Sequence, residues 1–132
     1  ELKNRGTRHI SFIQIATPEL VPLIELNELD AAAAAAIQRI ETQAGESEVV
    51  ILGCTHYTQI KSHLRAYFGS AIVFFSQDEI IPEKVRCYLE NHPEIESLLG
   101  QTGERNIHLT KHRPDYDLQM GQFLGGAYLA DE

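Results

Sequence analysis

The chain has 132 residues, of which 43% are hydrophobic, so it is long enough for one domain with a buried core. Its formal net charge of −8 argues against nucleic acid as a partner. No apolar run approaches the roughly 18 residues that a membrane span needs.

The cysteine content and the first residues of the chain both indicate a cytoplasmic protein. Two cysteines do not make a disulfide framework, which fits a reducing compartment. The first residues lack the apolar core of a signal peptide, and the chain does not begin with methionine. We therefore expect a cytoplasmic protein whose given sequence is cut from something longer.

The first predicted element in chain order is a strand over residues 9–15, where β-forming and polar residues alternate. Pro18 ends it, and Thr17 is predicted to cap a short helix over residues 19–26. A second helix is predicted over residues 28–43, because six consecutive alanines favour helix strongly.

Two apolar strands are predicted in the middle of the chain. Four aliphatic residues at 49–52 predict a strand buried on both faces, and Gly53 lets the backbone turn tightly after it. A helix over residues 59–68 follows, and then a further apolar strand over residues 71–75.

Helices dominate the predicted remainder. Ser76 and Glu79 have the spacing of a capping box for a helix over residues 78–91. The later predicted elements are a short helix over 94–99, a strand over 107–110 and a helix over 115–124. Strands that alternate with helices indicate an α/β fold with a mainly parallel sheet flanked by helices.

The most informative residues are Cys54, Thr55 and His56, which lie between a strand's carboxyl end and a helix's amino end. Sheets of α/β proteins bind ligands there, and the helix dipole with its free N–H groups favours anions, including a thiolate. The segment predicts a reactive-cysteine site, with a buried cysteine in a strand-to-helix turn as the alternative. His56 and His63 show no metal-site spacing.

Two short motifs in the chain resemble glutamate racemases. Residues 52–57 (Leu-Gly-Cys-Thr-His-Tyr) resemble the family's second cysteine motif, and residues 21–25 (Val-Pro-Leu-Ile-Glu) resemble its Val-Pro-Leu-Val-Glu signature. Residues 107–124 resemble its closing strand and helix. The resemblance implies a racemase without cofactor or metal, in which one cysteine removes the α-proton of glutamate and an opposite one returns it.

Roles for individual residues follow from this resemblance. Cys54 and His56 would be catalytic, with Cys54 as the acid/base on one face. Thr55 and His56 would also bind substrate, and Glu25 would orient the imidazole from behind. Each has a structural alternative: Thr55 as a helix cap, His56 as a hydrogen-bonded histidine and Glu25 as a solvated helix residue. Cys87 is predicted to be structural.

The resemblance further implies that the chain is the carboxyl half of such an enzyme. Residues 1–76 would be the second of two similar α/β domains, and residues 77–132 a segment that returns to pack on the missing amino-terminal domain. We expect that the chain alone does not racemise glutamate at an enzymatic rate and at most exchanges the α-proton of one enantiomer slowly. Its expected partners are glutamate, the amino-terminal racemase domain and, as an open alternative, a second copy in a homodimer, but neither nucleic acid nor a membrane. The implied role is D-glutamate supply for peptidoglycan.

Two other interpretations stay open. A non-catalytic, truncated or repurposed half-domain that acts as a binding module fits the missing first cysteine. A thiol hydrolase needs a cysteine–histidine pair oriented by a third group. The closeness of Cys54 and His56 in the sequence is expected to place them poorly for that chemistry.

Overall fold

The computed structural model describes residues 10–100, 102, 103, 108, 116 and 121. Two strands and six helical segments are described, in the order α1 (Leu20–Glu25), α2 (Leu29–Ala44), β1 (Val49–Leu52), a 3₁₀ helix (Thr55–Ile60), α3 (Lys61–Phe68), β2 (Val73–Ser76), α4 (Gln77–Glu90) and α5 (Pro93–Glu96). None of the helices in the described ranges is long and apolar enough to cross a membrane.

The sheet consists of β1 and β2 in parallel, in a register that pairs Val49 with Val73 and Leu52 with Ser76. The 3₁₀ helix and α3 make the crossover that two parallel strands require. The prediction of an α/β fold with a parallel sheet flanked by helices is therefore confirmed.

One hydrophobic core holds α1, α2, the 3₁₀ helix and α3 to one face of this sheet. The alanine-rich α2 buries its small side chains, which lets its backbone approach the neighbouring elements closely. Larger side chains fill the remaining space, and the buried cluster comprises Leu20, Ile24, Ala32, Ala33, Ala36, Ile40, Leu52, Ile60, Leu64, Ile72 and Phe74. Because α1, α2, α3 and both strands share this cluster, their positions depend on one another.

The prediction that β1 is buried on both faces is wrong. Leu52 faces the core, whereas Ile51 is 67% exposed. The neighbouring strand alternates in the same way, with Phe74 buried and Phe75 exposed. A continuous apolar run allows burial on both faces, but the second face is buried only if another element packs on it, and the described residues leave it open.

The predicted strand at residues 9–15 is also wrong within the described part, because residues 10–15 have no regular secondary structure. Ile10, Phe12 and Ile13 are exposed. The segment lies across a cavity of about 460 Å³ from β1, and both contribute to its lining. An alternating sequence forms a strand only where it hydrogen-bonds to a partner, and β1 pairs with β2 alone in the described sheet.

Most other elements agree with the predictions to within one or two residues. The predicted helix over residues 59–68 differs, because the 3₁₀ helix Thr55–Ile60 precedes α3 and starts four residues earlier. The predicted helix over 94–99 is the shorter α5. The predicted strand over 107–110 and the predicted helix over 115–124 fall mostly on residues that the structure does not describe. Of the described residues in these ranges, Tyr116 and Gly121 are helical and His108 is not in a strand.

Ser76 occupies the predicted N-cap position of α4, but no capping box forms. Its buried hydroxyl instead accepts a hydrogen bond of 2.9 Å from Lys61 Nζ. The same ammonium donates to Asp78 Oδ2 at 2.5 Å and lies 3.1 Å from Glu79 Oε1, which Arg65 also contacts at 3.0 Å. This charged network ties the start of α3 to the start of α4.

The network predicts a defined pH dependence of stability. The hydrogen bond from Lys61 lowers the pKa of Asp78, and hydrogen bonds from Arg65 and then Lys61 lower the pKa of Glu79. Burial acts to lower the pKa of Lys61, but the hydrogen bonds to Asp78 and Glu79 outweigh it and the pKa is raised. The carboxylates therefore stabilise the fold above their unfolded values of about 4, and this contribution is lost as the pH falls through their lower folded values.

Asp78→Asn is thus expected to lower stability at pH 7 by up to about 1 kcal/mol, since Asp78 is 44% exposed and screened by solvent. The loss should shrink as the pH drops below about 4, where the wild-type carboxyl is protonated as well. Urea unfolding between pH 3 and pH 7 measures both effects. Glu46→Gln, a matched change at an exposed carboxylate outside this network, is the control, and an equal loss there would contradict the prediction.

Candidate active site

Cys54 lies immediately beyond the carboxyl end of β1, as predicted from the strand and glycine before it. It is the N-cap of the 3₁₀ helix and keeps an extended backbone (φ −122, ψ 141), while its carbonyl oxygen accepts from Tyr57 N at 3.1 Å. The prediction that the backbone after β1 needs the conformational freedom of a glycine at position 53 is wrong. The φ of Gly53 is not positive, and a Cβ there would meet no atom within 4 Å.

The thiol of Cys54, the imidazole of His56 and the carboxylate of Glu25 lie next to one another at this site, with the imidazole in the middle. Cys54 Sγ is 3.7 Å from His56 Nδ1, and the opposite ring nitrogen, Nε2, is 3.4 Å from Glu25 Oε1. Cys54 is half-buried, the His56 side chain is 32% exposed and the Glu25 side chain is 49% exposed. Glu25 precedes Cys54 by 29 positions and His56 by 31 positions in the sequence. The packing of α1 against the 3₁₀ helix brings the three residues together.

This arrangement can move a proton to or from sulfur. A carboxylate beside Nε2 favours the tautomer with its proton on that nitrogen, in which Nδ1 is the acceptor that faces the thiol. The carboxylate also stabilises the imidazolium that forms. Thiol, imidazole and carboxylate side chains in this order are the arrangement that activates cysteine as a base or a nucleophile.

The expectation that Cys54 and His56 are poorly placed for joint chemistry is therefore wrong. The extended backbone of Cys54 followed by a 3₁₀ turn brings the ring back toward the sulfur. Thr55, the residue between them, is exposed and is the first residue of the 3₁₀ helix, so it is not the cap. Its carbonyl oxygen accepts a hydrogen bond from Thr58 Oγ1 at 2.9 Å.

The 460 Å³ cavity lies beside this site, since Leu52 and Tyr57 contribute to its lining. That lining is mostly aliphatic, however, and does not include Cys54, His56 or Glu25. An apolar cavity does not match an anionic substrate, so we do not assign it to the thiol's chemistry.

One polar contact near the site was not predicted from the sequence. Thr17 Oγ1 lies 2.7 Å from the hydroxyl of Tyr57, although local pattern assigned Thr17 to a helix cap. The cap of α1 is Glu19, which makes no side-chain cap bond and instead pairs with Arg39 at 2.9 Å. Local spacing gives no signal for a bond between residues 40 positions apart.

Cys87 differs from Cys54 in its electrostatic surroundings. Its thiol donates to Glu83 Oε1 at 3.5 Å on the same helix. This hydrogen bond, with burial and the negative charges of Glu83 and Glu90, raises the pKa of Cys87. The prediction that Cys87 is structural is consistent with a thiol held in its unreactive form.

We expect Cys54 to react with iodoacetamide at pH 7 on the order of tenfold faster than Cys87, because only the thiolate is alkylated. Mass spectrometry of timed digests measures the two rates separately. Glu83→Gln should speed the reaction of Cys87 and leave that of Cys54 unchanged, since the amide can still accept a hydrogen bond but no longer carries the negative charge that disfavours the Cys87 thiolate. Faster labelling of Cys87 in the unmodified chain would contradict the assignment.

Comparison with known proteins gives partial matches. The glutamate racemase of Paracoccus denitrificans is 35% identical over 48 residues, which cover 36% of this chain and 18% of that protein. The glutamate racemase of Phenylobacterium zucineum is 29% identical over 114 residues, 83% of this chain and 40% of that protein. The enzyme of the same name from Listeria monocytogenes serotype 4a is 26% identical over 104 residues, 76% of this chain and 38% of that protein.

The chain thus matches well under half of the length of these curated relatives. No protein-family model matches it. The similarities, several of which extend over most of the chain, support a relationship to the glutamate racemases.

Proposed function

We propose that Cys54, His56 and Glu25 form one proton-transferring half of a racemase that acts on glutamate. The observation that carries this proposal is the thiol–imidazole–carboxylate arrangement, with distances of 3.7 Å and 3.4 Å, at the carboxyl end of a parallel strand. The similarity to glutamate racemases supports glutamate as the substrate.

In this proposal the reaction begins with the Cys54 proton on His56 Nδ1. The thiolate then takes the α-proton of glutamate, so the electrons of the C–H bond pass to the α-carbon and an S–H bond forms. A second acid on the opposite face delivers a proton to that carbon, which inverts its configuration. Glu25 keeps the imidazole oriented and offsets its charge, and no cofactor takes part.

Thr55 would bind the substrate's carboxylate or amine in this proposal. Its exposure at the first position of the 3₁₀ helix supports this role, because neither its hydroxyl nor its position is used to cap the helix. The product would be D-glutamate, and we propose peptidoglycan synthesis as its use.

The second acid lies outside this thiol–imidazole–carboxylate arrangement. Most of each relative's length is not matched by this chain, and a second protein segment or copy would supply the opposite face. We further propose that residues 1–76 form the domain that carries Cys54 and that residues 77–132 contact that other part.

The test is exchange of the glutamate α-proton in deuterated water. Purified chain is incubated with L- and D-glutamate separately, and the α-proton signal and the optical rotation are followed together. Exchange of one enantiomer with retained configuration supports a site with one acid/base group. Exchange that does not depend on Cys54 would overturn the proposal.

A thiol hydrolase is the second candidate, because the cysteine and histidine are in contact and a carboxylate follows. It predicts turnover of an activated ester, with the Cys54 thioester hydrolysed and more than one equivalent of nitrophenol released per chain. The racemase proposal predicts at most one equivalent, because a thiol that only transfers protons can be acylated but does not catalyse its own deacylation. Nitrophenol release, with intact-mass analysis of the chain in parallel, distinguishes the two.

A further inference from the structure

The side chains of Thr17 and Tyr57 form a hydrogen-bonded contact that links two distant parts of the chain. Thr17 Oγ1 and the Tyr57 hydroxyl are 2.7 Å apart, and that hydroxyl also lies 3.4 Å from the Thr17 carbonyl oxygen. Both residues are half-buried. The tyrosine therefore contacts both oxygen atoms of one threonine, at a place where solvent competes only in part.

Each partner sits beside a residue of the proposed site. Thr17 directly precedes the turn into α1, whose last residue is Glu25, and Leu20 N bonds to its carbonyl at 3.2 Å. Tyr57 follows His56 in the 3₁₀ helix. A change in the Thr17–Tyr57 contact thus shifts the two elements that carry the carboxylate and the imidazole.

Neither element is stable enough to fix this geometry by itself. Both α1 and the 3₁₀ helix have six residues, and segments of that length are held by tertiary contacts. The buried Leu20, Ile24 and Ile60 fix how closely the two elements approach. Apolar contacts are not directional, whereas a hydrogen bond weakens steeply with misalignment.

We propose that Thr17 and Tyr57 are positioning residues, which set the distance between Glu25 and His56 and through it the reactivity of Cys54. This inference rests on the proposed function for its meaning in catalysis. Its physical content is that loss of either hydroxyl lets α1 move relative to the 3₁₀ helix. The Glu25 carboxylate then no longer stabilises the imidazolium that forms when Cys54 loses its proton.

The variants that test this keep the shape of each side chain. Thr17→Val and Tyr57→Phe remove the hydroxyls alone, Thr17→Ser restores one, and Glu25→Gln removes the carboxylate. The measurement is the rate at which iodoacetamide alkylates Cys54 at pH 7, with the unfolding midpoint of each variant recorded in parallel.

Thr17→Val, Tyr57→Phe and Glu25→Gln are each expected to slow alkylation by about two- to fivefold, the range for one partly exposed ion pair. Thr17→Ser should react at the wild-type rate. Combining Thr17→Val with Glu25→Gln should slow the reaction no more than Glu25→Gln alone, because both changes remove the same interaction.

Two results would overturn the inference. One is an unchanged Cys54 rate in both Thr17→Val and Tyr57→Phe. The other is a double variant whose slowing is the product of the single effects, since that would show that Thr17 acts independently of Glu25. If one variant fails to fold, the other still gives the answer.

Alkylation does not involve glutamate, so failure of this inference is distinguishable from failure of the proposed function. Cys54-independent proton exchange, together with coupled Thr17 and Glu25 effects on alkylation, would refute the racemase proposal alone. Cys54-dependent exchange with no effect of Thr17 or Tyr57 on alkylation would refute the positioning role alone.

Discussion

Cys54→Ala should lower the rate of glutamate α-proton exchange by on the order of a hundred- to ten-thousand-fold, which is the contribution of one well-placed acid/base group. Exchange needs a base within reach of the α-proton, and the alanine has none. His56 would remain, but it lies behind the sulfur at 3.7 Å and not in its place. The α-proton signal in deuterated water measures the rate directly.

Cys87→Ala is the matched control, because it removes the other thiol by the same change. Glu83 holds that thiol protonated on α4, so exchange should stay at the wild-type rate. Cys54→Ser is a second comparison. A hydroxyl is much less acidic than a thiol, so the serine variant should behave like the alanine variant if proton transfer to sulfur is the step that matters.

The configuration of the recovered glutamate shows whether protons are delivered to one face of the α-carbon or to both. One acid/base group exchanges the proton and returns deuterium to the same face, so optical rotation should persist while the α-proton signal decays. Loss of rotation that Cys54→Ala abolishes would mean that the chain assembles both faces, for instance as a homodimer. Adding the amino-terminal part of a glutamate racemase in trans should convert exchange into racemisation.

Local sequence pattern could predict Cys54 and His56, because these two site residues are close together in the chain. An apolar strand followed by Gly53, Cys54 and His56 indicates a thiol and an imidazole at a strand end, and the structure has them there. Glu25 could be included only through the resemblance to a known family. Nothing in the spacing of residues 25 and 56 predicts a distance of 3.4 Å, because that distance depends on how α1 packs.

Failures of prediction have the same origin in tertiary context. Residues 10–15 alternate as a strand would, but the sequence does not say whether an edge is available for pairing. Thr17 fits a helix cap locally, and its hydroxyl is used by Tyr57 instead. Ser76 fits a capping box, but its hydroxyl accepts a hydrogen bond from Lys61 instead. At Thr17 and Ser76 a long-range partner thus competes successfully with a local one.

Leu64→Ala is expected to destabilise the fold by about 2–5 kcal/mol, the second large effect that we predict. Leu64 lies on α3 with no exposed surface and belongs to the buried cluster with Ile60 and Phe74. Removing its isobutyl group loses burial and leaves a cavity between α3 and the sheet. For a domain of this size that is a large share of a total stability of roughly 5–15 kcal/mol.

Leu98→Ala is the matched control, since the same atoms are removed from a side chain that is 84% exposed. Its effect should stay within about 0.5 kcal/mol. Urea unfolding followed by circular dichroism gives both values, and equal losses would place Leu64 outside the core. If Leu64→Ala does not fold, Leu64→Met keeps most of the volume and should cost less than about 1.5 kcal/mol.

Because α3 shares this core with α1 and the 3₁₀ helix, a folded Leu64 variant should also show slower alkylation of Cys54, as the packing that holds Glu25 near His56 loosens.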